Sequence, residues 1–355
     1  MPHDSGRRAS VPADKGRSER AALPAPRVHA VIPAYNAAAT IARALSSVLA
    51  QDSQREVEVI VVDDGSTDDT AEAVREQYPD VTLIQQENRG VGAARNRGLR
   101  VAHGDYIAFL DADDEWSPTH LSDIAHLARL FPDAGLLSTG YAFVPDERIR
   151  TVVTHGSGAP VEADFLRASR SIWVAHTSAT AVRRDTALAL GGFREDMPLS
   201  EDTEFFARMY LASGFAFHPR VSSTYYGGSS TSAVARHRET PSSMMMFEAL
   251  LPWLQKGNLP PDKLLSLRRF LTELLFSHCR WCLTRSRRRE ALETLQHPLL
   301  AQHRPMRRRM RVLSLAPGRL LSVWERFRQS RWGAPARTEA DGFVRTTKTF
   351  RRAVT

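Results

Sequence analysis

Two aspartates separated by one residue, Asp111 and Asp113, are the side chains of this sequence best suited to bind a cation. They follow the apolar run 106–110, and Asp114 and Glu115 come directly after them. Four carboxylates within five residues repel one another unless a cation lies between them. Carboxylate oxygens are the ligands of hard divalent metals, which also bind phosphate groups. The cluster therefore predicts either a metal and phosphate site or a solvated acidic turn.

Three other apolar runs also end in polar residues, and these suit a nucleotide. The polar segments are 33–36, 63–66 and 88–96. A tyrosine can stack on a base, and a carboxylate can accept a hydrogen bond from a base N–H. An arginine or the N-terminus of a helix can bind phosphate. Together the four segments indicate one nucleotide site, provided that the fold brings them together.

The elements that must position these segments alternate regularly from residue 28 onward. Predicted strands are 28–32, 57–62, 81–84, 106–110 and 134–144, and predicted helices are 37–51, 68–78, 91–101 and 119–130. Such alternation indicates βαβ units and a parallel sheet. Ligands of these sheets bind outside the carboxyl ends of the strands, where the polar segments lie. Further along, we expect strands at 176–182 and 215–226. A helix is expected with Ser200 as its N-cap and with Glu204 close behind, in an arrangement like a capping box.

The polar segments and two later ones resemble, in order, the family 2 inverting glycosyltransferases of GT-A fold. The matching pieces are VIPAYN, VIVVDDGSTDDT, ENRGVGAARNRGL, YIAFLDADDEW, GGFREDM and SEDTEFFAR. The resemblance covers about residues 28–230. It implies an α/β fold with a mostly parallel central sheet flanked by helices, divided into a nucleotide-binding half and an acceptor half. A helical pattern from Met244 onward predicts a C-terminal helical extension.

The resemblance implies a nucleoside-binding role for five residues. Asp64 is similar to the aspartate that reads the uracil or other base, with Asp63 beside it. Pro33, Tyr35 and Asn36 match the segment that lines the nucleoside.

The resemblance also implies the residues nearest the chemistry. Arg95 is similar to the basic residue near the base and ribose. Asp111 and Asp113 match the DxD motif, so both are expected to bind Mn²⁺ or Mg²⁺, with Asp113 as the direct ligand, and Asp111 is also expected to contact the sugar nucleotide. Glu201-Asp202 matches a motif whose aspartate is the catalytic base, so Asp202 is expected to deprotonate the acceptor hydroxyl.

Other polar residues are assigned structural roles. Asp114 and Glu115 are expected to belong to the turn after the DxD motif. His176 and His218 are expected to be structural, with binding of diphosphate or metal as the alternative for His218. Cys279-Arg-Trp-Cys282 has no second such pair, which does not favour zinc or redox chemistry. The segment 226–232 has the glycine and hydroxyl content of an active-site lid, and acceptor contacts are expected there and around 173–180.

Length and composition set the domain plan. The 355 residues include two cysteines, which fits a reducing compartment, and contain no apolar run of 18 residues. The first residues lack the apolar core of a signal peptide. The predicted domains are a disordered tail at 1–27, a GT-A domain at 28–235 with halves 28–115 and 116–235, a basic helical extension at 236–335, and a disordered tail at 336–355.

Charge is distributed unevenly along the chain. Residues 28–255 carry 19 Lys/Arg and 30 Asp/Glu, whereas residues 256–355 carry 23 and 7. Apolar residues alternate with arginines over 312–332, which suits either an anionic membrane surface or packing on the catalytic domain. Nucleic acid is not favoured as a partner because no recognised binding module accompanies the charge. The expected location is the cytoplasm, with peripheral binding to the inner membrane face.

The expected activity is metal-assisted inverting transfer of a sugar from a nucleotide-diphosphate sugar, with a UDP-sugar favoured, to a glycan or glycolipid acceptor. The alternatives are a nucleotidyltransferase and a non-catalytic nucleotide-sugar-binding protein. The first alternative is opposed by the absence of a glycine-rich, basic phosphate loop after the first strand. The second is opposed by the presence of all three aspartates, Asp111, Asp113 and Asp202.

Overall fold

The computed structural model describes residues 26–52, 57–146, 149–153, 158–169, 175–227 and 240–315. The strands are β1 (Val28–Ala34), β2 (Val59–Asp63), β3 (Thr82–Gln85), β4 (Tyr106–Phe109), β5 (Glu115–Trp116), β6 (Leu136–Asp146), β7 (Ile149–Val153), β8 (Val161–Glu162), β9 (Thr180–Arg183) and β10 (Phe215–Tyr226). The helices are α1 (Ile41–Leu49), α2 (Thr70–Gln77), α3 (Val91–Val101), α4 (His120–Leu130), α5 (Phe165–Ala168), α6 (Arg184–Ala189), α7 (Glu201–Ser213), α8 (Ser242–Lys256), α9 (Pro261–Thr284), α10 (Arg288–Thr294) and α11 (Arg304–Leu313).

One sheet runs through the described part of the chain, in the order β3-β2-β1-β4-β9-β6-β10-β5. The four strands β1 to β4 are parallel, and β10 is parallel to β6. The carboxyl ends of β1, β2 and β4 therefore point in one direction, which brings the polar segments after them to the same edge. This confirms the predicted α/β fold with helices on a central sheet.

Strand β9 differs from the prediction. Residues 177–179 form a 3₁₀ turn, and the strand begins only at Thr180. It is antiparallel to both β4 and β6 and lies between them. A short apolar run does not reveal the direction or the neighbours of a strand, because long-range pairing determines both. The turn consequently lies directly beside the end of β4.

Two apolar layers cover the sheet, because successive residues of a strand face opposite sides. In β1, Ala30 and Ile32 face the layer that contains α1, α2 and α4. Val31 faces the opposite layer, formed by α3, α6 and α7. Both faces of the central strands are therefore buried, as in doubly covered parallel sheets.

The C-terminal extension packs on the second of these layers. Phe247 of α8 and Leu271 of α9 are buried in the same apolar cluster as Phe206 of α7. Lys263 Nζ donates hydrogen bonds to the carbonyls of Tyr210 and Leu211, at 2.8 and 3.2 Å, near the end of α7. The extension thus supports α7, as a Lys side chain does at the negative end of a helix.

The first helix of the extension, α8, ends at Lys256, and α9 begins at Pro261, directly after Pro260. None of the described helices has both the length and the apolar character that crossing a membrane requires. Most of the tail predicted at 1–27, all of 336–355, and most of the stripe at 312–332 lie outside the described residues.

Candidate active site

The end of β2 presents two buried aspartates, Asp63 and Asp64. Asp63 Oδ1 accepts a hydrogen bond from the Ser66 amide at 3.1 Å, which closes the turn after the strand. Asp64 accepts from the amides of Arg89 and Gly90, at 3.0 and 2.8 Å. A carboxylate that accepts several backbone N–H groups is held in one orientation. Asp64 therefore ties the end of β2 to the start of α3, and its predicted contact with a base stays a prediction.

The residues that follow β1 are hydrogen-bonded to the turn that follows β2. Pro33 is buried within the strand, whereas Tyr35, which follows the strand, is 42% exposed. Asn36 has a φ of +49°, which asparagine tolerates better than most residues. Its amide donates to Ser66 Oγ at 2.9 Å, and its Oδ1 accepts from the Thr67 amide at 2.8 Å. The segment expected to line the nucleoside is thus a fixed loop with an exposed ring.

The DxD turn begins directly after β4. The Asp114 amide donates to the Asp111 carbonyl at 3.0 Å, which closes the turn. Asp113 is the most exposed of the three aspartates, yet the surrounding protein and the Asp111 charge raise its pKa to about 6. Burial acts to raise the pKa of Asp111, but the positive charge of Arg95, followed by His176, outweighs it and lowers that pKa.

Asp114 lies in the site and does more than complete the turn. Its side chain is fully buried, and its carboxylate accepts hydrogen bonds from Ser178 Oγ and from the Tyr226 amide, the latter at 3.0 Å. Burial, then the charges of Asp111 and Asp113, raise the pKa of Asp114 well above its ordinary range. Sequence reasoning assigned Asp114 to the turn alone, because nothing local shows which side chain of an acidic run turns inward.

The 3₁₀ turn before β9 supplies partners that were not predicted. Ser178 Oγ accepts a hydrogen bond from the Asp111 amide at 3.1 Å while it donates to Asp114. His176 Nδ1 lies 3.7 Å from Asp114 Oδ2, and its ring stacks on Tyr225 at 4.1 Å between centroids. His176 therefore contacts the acidic cluster, and its expected structural role stays a prediction.

His218, by contrast, lies in a different polar group. Its Nδ1 accepts from the Arg220 amide at 3.0 Å, and its Nε2 lies 4.0 Å from Asp123 Oδ1. Asp123 in turn binds Arg220 Nη1 at 2.8 Å. These contacts favour the structural role expected for His218.

Arg95 joins the two acidic motifs. Its Nη2 lies 2.8 Å from Asp111 Oδ1, and its Nη1 lies 2.7 Å from Glu201 Oε1. The arginine is buried, which would lower its pKa, but Asp111 and then Glu201 outweigh burial and raise it. Both terminal nitrogens are thus engaged by carboxylates. The predicted contact of Arg95 with base and ribose is not tested by these bonds.

Asp202 lies beside Glu201 in the first turn of α7. Its Oδ1 accepts from the Thr203 amide at 2.6 Å, and its Oδ2 accepts from Thr177 Oγ1 at 3.3 Å. Burial and the Asp202 charge raise the pKa of Glu201, while Arg95 opposes them. Asp202 is therefore held at a helix N-terminus and reaches the same 3₁₀ turn that contacts Asp111.

The start of α7 does not form the predicted capping box. Ser200 has a φ of +66° and makes no side-chain cap. Glu204 instead pairs with Arg208 at 2.7 Å, and Arg208 also donates to the carbonyls of Leu190 and Gly192. The i,i+4 ion pair takes the carboxylate that a capping box would need.

The two segments expected to contact the acceptor are only partly described. The predicted lid at 226–232 is described only to residue 227, and Trp173 also lies outside the described residues.

The residues at this edge fit a hard divalent cation. Ligand atoms of Asp111, Asp114 and His176 lie within 4.8 Å of one another, and Asp113 follows Asp111 in the same turn. The raised pKa values of Asp113 and Asp114 reflect burial and mutual repulsion, which a bound cation would relieve. Asp111 and Asp113 provide the carboxylate oxygens that Mg²⁺ and Mn²⁺ prefer.

Residues 29–188 match the family model described as "Glycosyl transferase family 2". An uncharacterized protein of Mycobacterium tuberculosis, MT1568, is 32% identical over 262 residues, which cover 68% of this chain and 79% of the relative. An uncharacterized glycosyltransferase of Escherichia coli, YibD, is 32% identical over 198 residues, which cover 52% of this chain and 53% of that relative. The chain therefore spans about half the length of this second relative.

Solved structures share the fold. Staphylococcus aureus TarS 1–349 in complex with UDP-GlcNAc has a TM-score of 0.65 at 20% identity, and covers 92% of this chain and 98% of that chain. The mannosyltransferase PcManGT from Pyrobaculum calidifontis, in complex with GDP-Man and Mn²⁺, has a TM-score of 0.53 at 23% identity, and covers 87% and 93%. The predicted GT-A architecture is confirmed by these likenesses.

Proposed function

We propose that this chain, which belongs to glycosyl transferase family 2, moves a sugar from a nucleotide-diphosphate sugar to an acceptor hydroxyl with inversion. Glycosyl transfer follows from the family, while inversion and metal assistance are our proposal. The observation that carries it is the Arg95 bridge, which binds Asp111 of the DxD motif and Glu201 next to Asp202. The proposed metal ligand and the proposed base therefore belong to one connected site.

The donor would lie along the ends of β1 and β2. Tyr35 offers an exposed ring on which a base can stack, and Asn36, Asp63 and Asp64 hold the loops around it. The two solved structures with this fold bind UDP-GlcNAc and GDP-Man, respectively. We favour a UDP-sugar because Asp64 stands where the family's base-reading aspartate is expected.

Asp113 and Asp111 would hold Mn²⁺ or Mg²⁺. When bound, the ion would supply positive charge that stabilises the leaving diphosphate. Arg95 holds the Asp111 carboxylate in one orientation through the 2.8 Å ion pair. Ser178 fixes the backbone of the same turn through the Asp111 amide. The protein thus preorganises the ligands, which reduces the rearrangement needed on binding.

Asp202 would remove the proton from the acceptor hydroxyl. Inversion by a single displacement requires a base opposite the leaving group. Bonds from the Thr203 amide and Thr177 hydroxyl orient the Asp202 carboxylate, and Glu201 beside it is engaged by Arg95. The neighbouring glutamate therefore serves to position the site, while Asp202 carries the proton chemistry.

We also propose that residues 28–235 form the GT-A domain and residues 236–335 form the extension. We propose a glycan or a glycolipid as the acceptor.

The last described helix of the extension has a basic face. Helix α11 presents exposed arginines at positions 304, 308, 309 and 311, beside exposed Val312 and Leu315. Its buried Met310 packs on the core, so one face is occupied and the basic face is open to solvent. This arrangement suits an anionic membrane surface on the cytoplasmic side.

A thermal-shift screen of nucleotide sugars with Mn²⁺ or Mg²⁺ tests the proposal. One donor should raise the melting temperature selectively and only with metal, because a ligand of the folded state stabilises it. Its transfer to lipid-linked and free glycan acceptors should then be followed by mass spectrometry. The absence of a shift with every UDP- and GDP-sugar would contradict the proposed donor site.

A further inference from the structure

A second group of potential metal ligands lies at the end of α9, far along the chain from the DxD motif. Cys282 follows His278 by four positions, so their side chains lie on the same face of this helix. Glu290 belongs to the first turn of α10, which follows a short connection. One ligand atom from each of the three lies within 4.8 Å of the other two.

Two of the three distances between these atoms are close to those of a tetrahedral metal site. His278 Nε2 lies 3.3 Å from Cys282 Sγ and 3.1 Å from Glu290 Oε1. Zinc bonds of roughly 2.0–2.3 Å at tetrahedral angles place neighbouring ligand atoms about 3.3–3.6 Å apart. A shift of a few tenths of an ångström would therefore admit an ion between the three.

Burial gives the group the enclosure that such an ion needs. Cys282 is completely buried within the apolar cluster that joins the extension to the core. The His278 side chain is 3% exposed. The Glu290 side chain is 37% exposed, so one side of the group is open to solvent. Water can supply a fourth ligand there, as in zinc sites with three protein ligands.

A neighbouring arginine orients the carboxylate. Arg287 Nε lies 3.0 Å from Glu290 Oε2, which leaves Oε1 directed at His278. Outer partners of this kind fix metal ligands in orientation. Cys279 is different, because its sulfur points to the Ala291 carbonyl at 3.6 Å and is not part of the group.

We propose that His278, Cys282 and Glu290 bind one borderline-soft divalent cation of the Zn²⁺ class. Imidazole and thiolate ligands select such an ion over Mg²⁺ or Mn²⁺, which the DxD carboxylates suit. The ion would connect the end of α9 to the start of α10 and so stabilise the extension that supports α7. The sequence did not indicate this site, because the Cys-x-x-Cys spacing draws attention to the wrong partner of Cys282.

Cobalt spectroscopy of the full chain tests the proposal. Co²⁺ added in the presence of excess Mg²⁺ should produce a thiolate-to-cobalt charge-transfer band that saturates at one equivalent, and Zn²⁺ should remove it by displacement. The chain contains only two cysteines, so the band can come only from Cys279 or Cys282, and single variants distinguish them. Cys282→Ser should abolish the band, whereas the matched variant Cys279→Ser should keep it.

A second variant covers the case in which Cys282→Ser does not fold. Glu290→Gln alters a partly exposed side chain, and it should weaken Co²⁺ binding by about tenfold or more while circular dichroism stays unchanged. No band in the unmodified chain, weak binding without a defined stoichiometry, or a band that survives Cys282→Ser would overturn the site. Unchanged Co²⁺ affinity in Glu290→Gln would overturn it as well.

Discussion

The Nη2 atom of Arg95 lies 2.8 Å from Oδ1 of Asp111, the first aspartate of the DxD motif. The arginine is buried, and its other terminal nitrogen is held by Glu201. Two motifs that lie about a hundred residues apart in the sequence are therefore joined by the guanidinium group of one arginine. This pairing makes the acidic turn and the start of α7 a single unit.

Arg95→Met should destabilise the protein, because it leaves two largely buried carboxylates without their partner. Removing one partner of such a pair costs about 3–5 kcal/mol in the free energy of unfolding. Urea denaturation followed by circular dichroism measures it. Arg97→Met changes an exposed arginine of the same helix and should shift the free energy by less than about 0.5 kcal/mol. Equal effects of the two variants would contradict the bridging role.

Asp113→Ala should abolish the metal-dependent part of donor binding. The carboxylate is the more exposed DxD ligand, so its loss removes a metal contact without opening the core. Calorimetric titration with UDP and GDP, with and without Mn²⁺, measures the difference. Glu115→Ala, in the same acidic run, serves as the control and should retain the Mn²⁺ effect. If Asp113→Ala binds UDP and GDP in the presence of Mn²⁺ as tightly as the unmodified chain does, Asp113 is not a metal ligand.

Asp202→Asn should retain donor binding and lose transfer. The amide keeps the size of the side chain but cannot accept the acceptor proton, and a general base contributes about 10²–10⁴-fold to the rate. Single-turnover assays with a saturating donor separate the two effects. Thr203→Ala changes the adjacent hydroxyl and is expected to keep most of the activity. If Asp202→Asn transfers sugar at the unmodified rate, another residue is the base.

Metal affinity should fall in mildly acidic solution. Loss of hydration within the protein, followed by the charge of Asp111, raises the pKa of Asp113 from 3.8 to about 6. A proton then competes with the metal for the Asp113 carboxylate. Below pH 6, Mn²⁺ affinity should drop about tenfold per pH unit for this one proton. Titrations between pH 5 and pH 8 measure the slope, and Asp113→Asn should remove this contribution.

Without metal, the free energy of unfolding should rise as the solution becomes mildly acidic, whereas the metal affinity falls. Because the folded state raises the pKa of Asp113, it binds the proton more tightly than the unfolded chain does. This group therefore adds to the free energy of unfolding as pH falls through about 6 toward the ordinary aspartate value. The difference between the unmodified chain and Asp113→Asn, measured over that range, isolates this contribution. A difference that does not vary with pH would show that the pKa of Asp113 is not raised.

The basic face of α11 should bind anionic vesicles. Replacing Arg308, Arg309 and Arg311 with alanine removes three exposed charges, each worth about 1 kcal/mol at such a surface, so binding should weaken roughly a hundredfold. Sedimentation with phosphatidylglycerol vesicles measures it. Alanine at Arg97, Arg100 and Arg129 removes the same charge from the acidic body and serves as the control. Equal binding of both triple variants would show that α11 is not the membrane contact.

The sequence alone determined which polar residues are available for the candidate site and at which edge of the sheet they lie. Asp63, Asp111 and Tyr35 follow apolar runs, and alternation with helices sends the ends of such runs to one side. The start of α7 at Glu201 was also predicted, because its polar and apolar pattern is local. Local patterns of this kind need no knowledge of which strands are neighbours.

Only the tertiary structure decided which of these residues meet. Insertion of antiparallel β9 between β4 and β6 brings Ser178 to the DxD turn. Helices α3 and α7 cover the same face of the sheet, where Arg95 meets Glu201. The inward turn of Asp114 and the approach of Glu290 to His278 depend on similar contacts. Pairing across long stretches of chain arises from the packing of whole elements, which no local spacing records.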